Sequence, residues 1–388
     1  VSTTTHRTDG EPLAGDIPAP RERPGFLLCR NDYRVRGHGW TQRFDDASAA
    51  ADALRAGTVD AVVGALPFDV RDRSALIAPH VLQVHDGPWT PVAHSPMPPV
   101  RVDALNPPID VHRRRVAAAV AALGEPGAQL AKVVLARSIV LRGDRRIDPW
   151  NLAAALRTGD PHGSVFVADL APSGRASTLV GASPEVLVRK RGRTVSCRPL
   201  AGSAARSTDP AVDAQRRRTL AASAKDRAEH RFVVEAIADA LSPFCRTLEV
   251  PAAPEVMATP AMWHLGTPIR GELADSASSA LDLALTVHPT PAICGTPTAQ
   301  ARDHILSTEE PRGFYAGAVG WARAGVDGGD GEWMVAIRCA EVHADGRSAR
   351  TWAGGGIVAA SDPDDEVAET EAKLATVLRA MGIDSGDV

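Results

Sequence analysis

The sequence predicts an α+β domain built in mixed layers. Apolar, β-branched runs come in neighbouring pairs, and single long helical patterns separate those pairs. The last third is a meander of strands joined by Gly/Asp turns. The even interleaving of helix and strand that marks βαβ units is absent.

Residues 1–24 are polar and Pro-rich and are expected to be a disordered tail. A mixed region follows, with the apolar run Asp60–Leu66 and Pro-rich loops over Pro88–Pro108. Val111–Leu123 is Ala-rich and helical in pattern, and Lys132–Leu141 has the β-branched content of a strand. A short helix over Trp150–Thr158 and a strand over Ser164–Leu170 come next. Glu185–Lys190 and Thr194–Arg198 flank an Arg191-Gly192 turn and form a hairpin. Asp209-Pro210 supplies a cap and a first-turn proline, so one long helix is expected from there to about Leu241. After Ser276, an Ala/Leu-rich helix ends at His288-Pro289. Strands over Tyr315–Ala322, Glu332–Val342 and Arg350–Val358 precede a final helix over Asp364–Met381.

Composition excludes several classes. The 388 residues are 44% hydrophobic and 23% charged, with a formal net charge of −4. Mild acidity leaves no electrostatic footprint for nucleic acid, and the runs Arg113–Arg115 and Arg216–Arg218 are too short to make one. Five scattered cysteines without a CxxC point to neither a zinc site nor a disulfide framework. No apolar run is long enough to span a bilayer and no secretory leader is visible, so a cytoplasmic protein without membrane contact is expected.

Two segments repeat one acidic spacing: Asp226 with Glu229, and Glu366 with Glu369. Carboxylates three residues apart project from one helical face. Two such pairs facing each other would form an all-oxygen nest that requires a cation, and hard oxygen ligands favour Mg²⁺. Each pair alone is better read as a solvated helix face. Lys373 follows Glu369 by four residues and shares its face. In the strand pattern Glu332–Ala340, Arg338 shares a face with Met334, Ala336 and Ala340, so a guanidinium emerges among small apolar neighbours. It suits a bidentate anion such as a carboxylate. Lys132 sits similarly, beside Val134 and Ala136. An edge-strand charge reaching water accounts for either residue equally well. Glu185 follows a Pro turn, as a strand starter or as an acid at a site's mouth. Gly354–Gly356 is no dinucleotide fingerprint; such glycines let backbone N–H groups approach an anion.

The motifs KVVLARS, GASPEVLV, RPLAGSAAR, KDRAEH, WHLGTPIRG, HPTPAICGTP, GEWMVAIRCAEV, WAGGGIV and ETEAKL, in that order, resemble the chorismate-utilising enzymes, most closely isochorismate synthases of siderophore pathways. The likeness runs from about Leu130 to the C-terminus, with a weaker match upstream. It implies a single chorismate-binding domain over 25–388, its motifs within 111–388. Two stacked, largely antiparallel sheets flanked by helices would hold the site between them. It implies Lys132 as the base that deprotonates water for attack at C2 of chorismate, and Glu185 as the acid that protonates the departing C4 hydroxyl. Glu229 and Glu369 match direct Mg²⁺ ligands, with Asp226 and Glu366 in outer positions. Arg338, Lys373 and the Gly354, Gly355 and Gly356 backbone match the cradle for the enolpyruvyl carboxylate, and Gly202 and His264 lie in motifs lining the ring. Aminating relatives carry Gln where Lys132 stands. Pyruvate-releasing relatives tend to carry Thr where Ala292 stands, so Ala292 and Ile293 fit release of isochorismate. Salicylate synthase-type lysis and a menaquinone-pathway isochorismate synthase are the alternatives. Relatives of this branch are often monomers.

Overall fold

Alternating burial along the strands builds the layers. In Phe26–Cys29, Phe26 and Leu28 belong to one apolar cluster and Leu27 and Cys29 to another, as the two faces of a pleat require. The computed structural model describes residues 23–383 apart from 92–94, 162, 276 and 326–327, so most of the expected N-terminal tail lies outside the described residues.

The described residues form three sheets, and every strand pairing within them is antiparallel. The centre of the ten-stranded sheet runs, in hydrogen-bonded order, Lys132–Gly143, Ser348–Ile357, Cys339–His343, Ser177–Ser183, Ser164–Asp169 and Phe26–Cys29. The centre of the nine-stranded sheet runs Thr194–Arg198, Val186–Arg191, Gly331–Val335, Ala318–Arg323 and Ala61–Leu66. One core joins their facing sides, with Leu28, Leu135, Phe166 and Leu179 from the first sheet and Val63, Val188, Trp321 and Trp333 from the second. The opposite face of the ten-stranded sheet packs on the helices Pro149–Gly159 and Pro363–Ala380 through Trp150, Leu156, Leu374 and Leu378. The expected α+β architecture of stacked antiparallel sheets flanked by helices is what the chain forms. A third sheet, Leu200–Ala205, Met262–Gly266 and Glu255–Ala258, was not foreseen. No helix among the described residues is long and apolar enough to cross a membrane.

Two expected elements are broken, and both breaks serve the site. The helix after Asp209 is two helices, Pro210–Ala222 and Ala224–Leu241. Ser223 stands between them in an extended conformation, and its hydroxyl accepts the backbone N–H of Asp226. That cap starts a new helix with Asp226 and Glu229 in its first two turns. The strand expected over Glu332–Val342 is also two strands, in different sheets: Gly331–Val335 pairs with Val186–Arg191, whereas Cys339–His343 pairs with Ser177–Ser183. The chain crosses between the sheets at Ala336–Arg338, where Arg338 adopts φ 51°. Arg338 is therefore at a crossover and not on a strand face with Met334 and Ala340.

Candidate active site

A second crossover runs beside the first. Ser183-Pro184-Glu185 carries the chain from the ten-stranded sheet to the nine-stranded one, so Glu185 precedes its strand instead of opening it. The two crossovers are hydrogen-bonded: Ala182 N–H donates to the Arg338 carbonyl (3.0 Å) and Val335 N–H to the Glu185 carbonyl (3.1 Å). This seam brings an acid and a guanidinium that lie 153 positions apart in the sequence into the lining of one cavity.

That cavity holds about 710 Å³ of empty space, its mouth included. Glu185, Gly202, Glu229, His264, Ala292, Ile293, Arg338, Gly354, Gly356, Glu369 and Lys373 all line it. Lys132, Asp226, Gly355 and Glu366 stand behind the lining. Lys132 is fully buried, which removes the reading of a surface strand charge, and its Nζ lies 2.9 Å from Glu229 Oε1. The contact is an ion pair without hydrogen-bond alignment.

Glu185 is 3% exposed, and burial pushes its carboxyl up to about 7 against the pull of the Leu200 N–H and of the Lys132, Lys373 and Arg338 charges. Leu200 N–H donates to its Oε1 at 3.3 Å. At neutral pH such a group holds a transferable proton. Arg338 is 6% exposed and carries no ion pair or side-chain hydrogen bond among the described residues. Burial alone lowers its guanidinium to about 10. His264 is buried with Nε2 unpartnered, and burial with the nearby Arg338 and Lys373 charges holds it well below its ordinary value, as a neutral ring. A buried guanidinium and a neutral donor-capable ring make this end of the cavity complementary to an anion.

The other end is acidic. Glu369 is bound by Lys373 Nζ (2.7 Å) and by the Ser203 hydroxyl. Glu366 is bound by Lys225 Nζ (2.7 Å) and the Ser361 hydroxyl (2.8 Å). The carboxyl of Glu366 is raised to about 7 by burial and the charge of Glu369, and Asp226 is raised by burial and by Glu229. As they stand, no three acidic groups among the described residues converge on one ion. The donor set nevertheless fits a hard cation. Glu366 Oε2 is buried with no hydrogen-bond partner. The carboxylates lean over bare backbone: a Cβ on Gly356 would sit 2.1 Å from Glu229 Oε1, and one on Gly355 would sit 2.8 Å from Glu366 Oε2 and 3.8 Å from Glu369 Oε2. The space that these glycines leave is thus used by the protein's own carboxylates, a different use from the backbone anion cradle expected of Gly354–Gly356. Gly202, at φ +77°, lets its strand approach Asp226, whose Cβ would lie 2.9 Å from an added one.

Several contributors were missed. Tyr315 and Trp352 stack at 5.6 Å on the cavity wall. Arg312 donates to the Val134 carbonyl (2.7 Å) and the Ile293 carbonyl (2.9 Å), while Glu309 accepts the Ala136 N–H (2.7 Å), tying the Ala292-Ile293 loop to the Lys132 strand. Tyr315 stands where the sequence pattern opens a strand, and nothing local in the sequence singles out Lys225. Ser223, three residues before Asp226, was the available sign of a helix start.

These residues and this pair of stacked sheets define an enzyme cavity with an acidic end and a basic end. The family model for chorismate binding enzymes matches residues 94–382, and the chain belongs to that family. Isochorismate synthase DhbC of Bacillus subtilis is 44% identical over 389 residues, covering 93% of this chain and 95% of its own. A protein of Mycobacterium tuberculosis, provisionally named isochorismate synthase MenF, is 46% identical over 377 residues, covering 96% of this chain and all of its own. Among solved structures, DhbC from Bacillus anthracis, provisionally described as a 2,3-dihydroxybenzoate-specific isochorismate synthase, superposes with a TM-score of 0.84 at 36% identity, over 93% of this chain and 96% of that one.

Proposed function

We propose that the protein is an isochorismate synthase, an isomerase that converts chorismate to isochorismate with Mg²⁺. The observation that carries this reading is one cavity with a buried, protonatable Glu185 and an unpaired Arg338 at one end and the four-carboxylate cluster with Lys132 at the other. Once Glu229 turns to the cation, Lys132 gives up its extra proton to solvent, and the neutral amine then takes a proton from water as the water oxygen bonds to C2. The ring double bonds shift, the C4–O bond breaks, and Glu185 gives its proton to the hydroxyl leaving as water. Proton exchange with solvent resets both groups, so the reaction is balanced without a further reactant. Arg338 holds the enolpyruvyl carboxylate, with Lys373 beside it; Gly202, His264, Ala292 and Ile293 bound the ring. Glu229 and Glu369 would hold Mg²⁺ directly, with Asp226 and Glu366 in outer positions. Held there, Mg²⁺ would supply Lewis acidity toward the ring carboxylate and its diene.

The relatives' names support the reaction at the level of the family. For its destination, we assign the product to dihydroxybenzoate and thence to a siderophore, the first of these being what the name of the Bacillus anthracis protein specifies, and keep a menaquinone route as the second reading. We place the enzyme in the cytoplasm, acting as a monomer. Purified protein incubated with chorismate and Mg²⁺ is expected to form isochorismate without pyruvate, and EDTA is expected to stop it. Salicylate with equimolar pyruvate would make it a lyase, and unchanged chorismate would overturn the assignment. A strain lacking the gene should lose siderophore and keep menaquinone.

A further inference from the structure

The cavity does not end at Arg338. Beyond that guanidinium lies a second cavity of about 1050 Å³ on the same measure, and Arg338 and Pro184 line both. Its walls are the end of the helix Pro149–Gly159, the Ser183-Pro184 crossover, the Thr259–Ala261 turn of the small sheet and the last turns of the helix Pro363–Ala380. Leu156, Ala261 and Ala380 make an apolar wall. The charged side chains in its lining are Asp160, the buried Arg338 at the inner end and the exposed Arg379 at the outer. Arg379 carries no ion pair among the described residues. Its place in the last helical turn complements the C-terminal carbonyls, which explains a basic residue there. It does not explain why that residue opens onto a cavity that ends at another unpaired guanidinium.

A third cavity also meets the catalytic one, at Leu200 and His264. It is lined by Asp32 and Asp160, and its one lining arginine, Arg30, is occupied by Glu332 (3.1 Å) and Ser164 (2.7 Å). With Asp32 held by Arg189 (2.9 Å) as well, that lining offers an incoming anion no unpaired cation among the described residues, whereas the Arg379 cavity offers Arg338 and Arg379.

We propose that the Arg379 cavity is the antechamber through which the anionic ring substrate reaches the site, caught first at Arg379 and passed to Arg338. The identity of the substrate rests on the proposed function; the route rests on the geometry. Two positive charges along a largely apolar passage draw a dicarboxylate inward, and the lining hydroxyls of Thr158, Ser183 and Thr259 are already bonded to backbone carbonyls, so they compete little for it.

The test mixes the full chain rapidly with chorismate at low ionic strength and follows tryptophan fluorescence, since Trp352 lines the catalytic cavity. Arg379→Glu is expected to lower the association rate constant about tenfold, within the range that steering by charge supplies. The deficit should shrink as salt is added, and Arg379→Lys should restore the rate. Thr376→Trp, filling the passage from the helix side, should slow association and release together. Because Arg379 is exposed, its variants test the route even if Thr376→Trp misfolds. A wild-type association rate in Arg379→Glu, or in folded Thr376→Trp, overturns the route. Chorismate that binds with these dependences and is not converted overturns the proposed reaction alone, whereas chorismate that does not bind overturns both.

Discussion

The two ends of the catalytic cavity are built on opposite plans. At the acidic end each glutamate already has a lysine: Glu229 with Lys132, Glu366 with Lys225, Glu369 with Lys373. At the basic end Arg338 has no carboxylate and His264 Nε2 has no partner. Three buried or half-buried carboxylates without counter-charges would repel one another and unfold the helices that carry them, so the amines stabilise that end when no cation is held there. One guanidinium costs less to leave waiting, because its charge is delocalised and weakly hydrated. The paired end is set for exchange of partners, and the unpaired end for simple capture.

Breaking the paired end gives the largest expected effect. Lys132→Ala should lower kcat by about 10²–10⁴-fold, the range for losing a positioned acid or base. Calorimetry should nevertheless find Mg²⁺ bound at least as tightly, because Glu229 no longer has a competing amine. Weaker Mg²⁺ binding would contradict the exchange. At the unpaired end, Arg338→Met should reduce kcat/KM for chorismate by roughly 10²–10³-fold, the cost of stripping one partner from a buried charge pair. The same substitution should raise the melting temperature of the unliganded protein, since it removes a buried charge without a partner. A melting temperature that falls would show that Arg338 is already satisfied.

A subtler change probes the bare backbone under the carboxylates. Gly356→Ala places a methyl 2.1 Å from Glu229 Oε1, so Glu229 must move. Mg²⁺ affinity should weaken about 10–100-fold, as when a group orienting a metal ligand is lost. Titration calorimetry would show this, and unchanged affinity would remove Glu229 from the ligand set.

The smallest effect is a pH signature. Glu185 must be protonated to act as an acid, so kcat should fall as pH rises through about 7. The residual activity of Glu185→Gln should lack that limb. Stability follows the same sign. The folded-state value lies above the ordinary 4.5, so the neutral carboxyl's contribution is complete below about 4.5 and lost as pH rises through about 7. Glu185→Gln should therefore gain heat stability relative to the wild type at pH 8 compared with pH 5.

Much of the site was legible because helical spacing is a local property. Asp226 and Glu229, or Glu366 and Glu369, declare a shared face three residues apart whatever surrounds them. The Lys132 strand and the final helix were legible for the same reason. What escaped depends on partners distant in the chain. The alternation from Glu332 to Val342 continues smoothly through Ala336–Arg338, and no glycine marks the positive φ of Arg338, so nothing local shows one strand leaving its sheet. The break at Ser223 had a local sign in its hydroxyl, but the helical pattern on both sides masked it. Lys225 and Tyr315 gain their roles only from Glu366 and Trp352, which lie far along the sequence.

The paired crossovers at Pro184-Glu185 and Ala336–Arg338 are also where the two sheets are sewn together. A joint of that kind sets how far one layer can slide over the other. Glu185 and Arg338 are stitches in that joint, and any shear of the layers changes the distance between the acid and the guanidinium. Mechanical stiffness and chemical alignment are therefore one property here, and a substitution that loosens the seam will blunt the reaction even if it touches no reacting group.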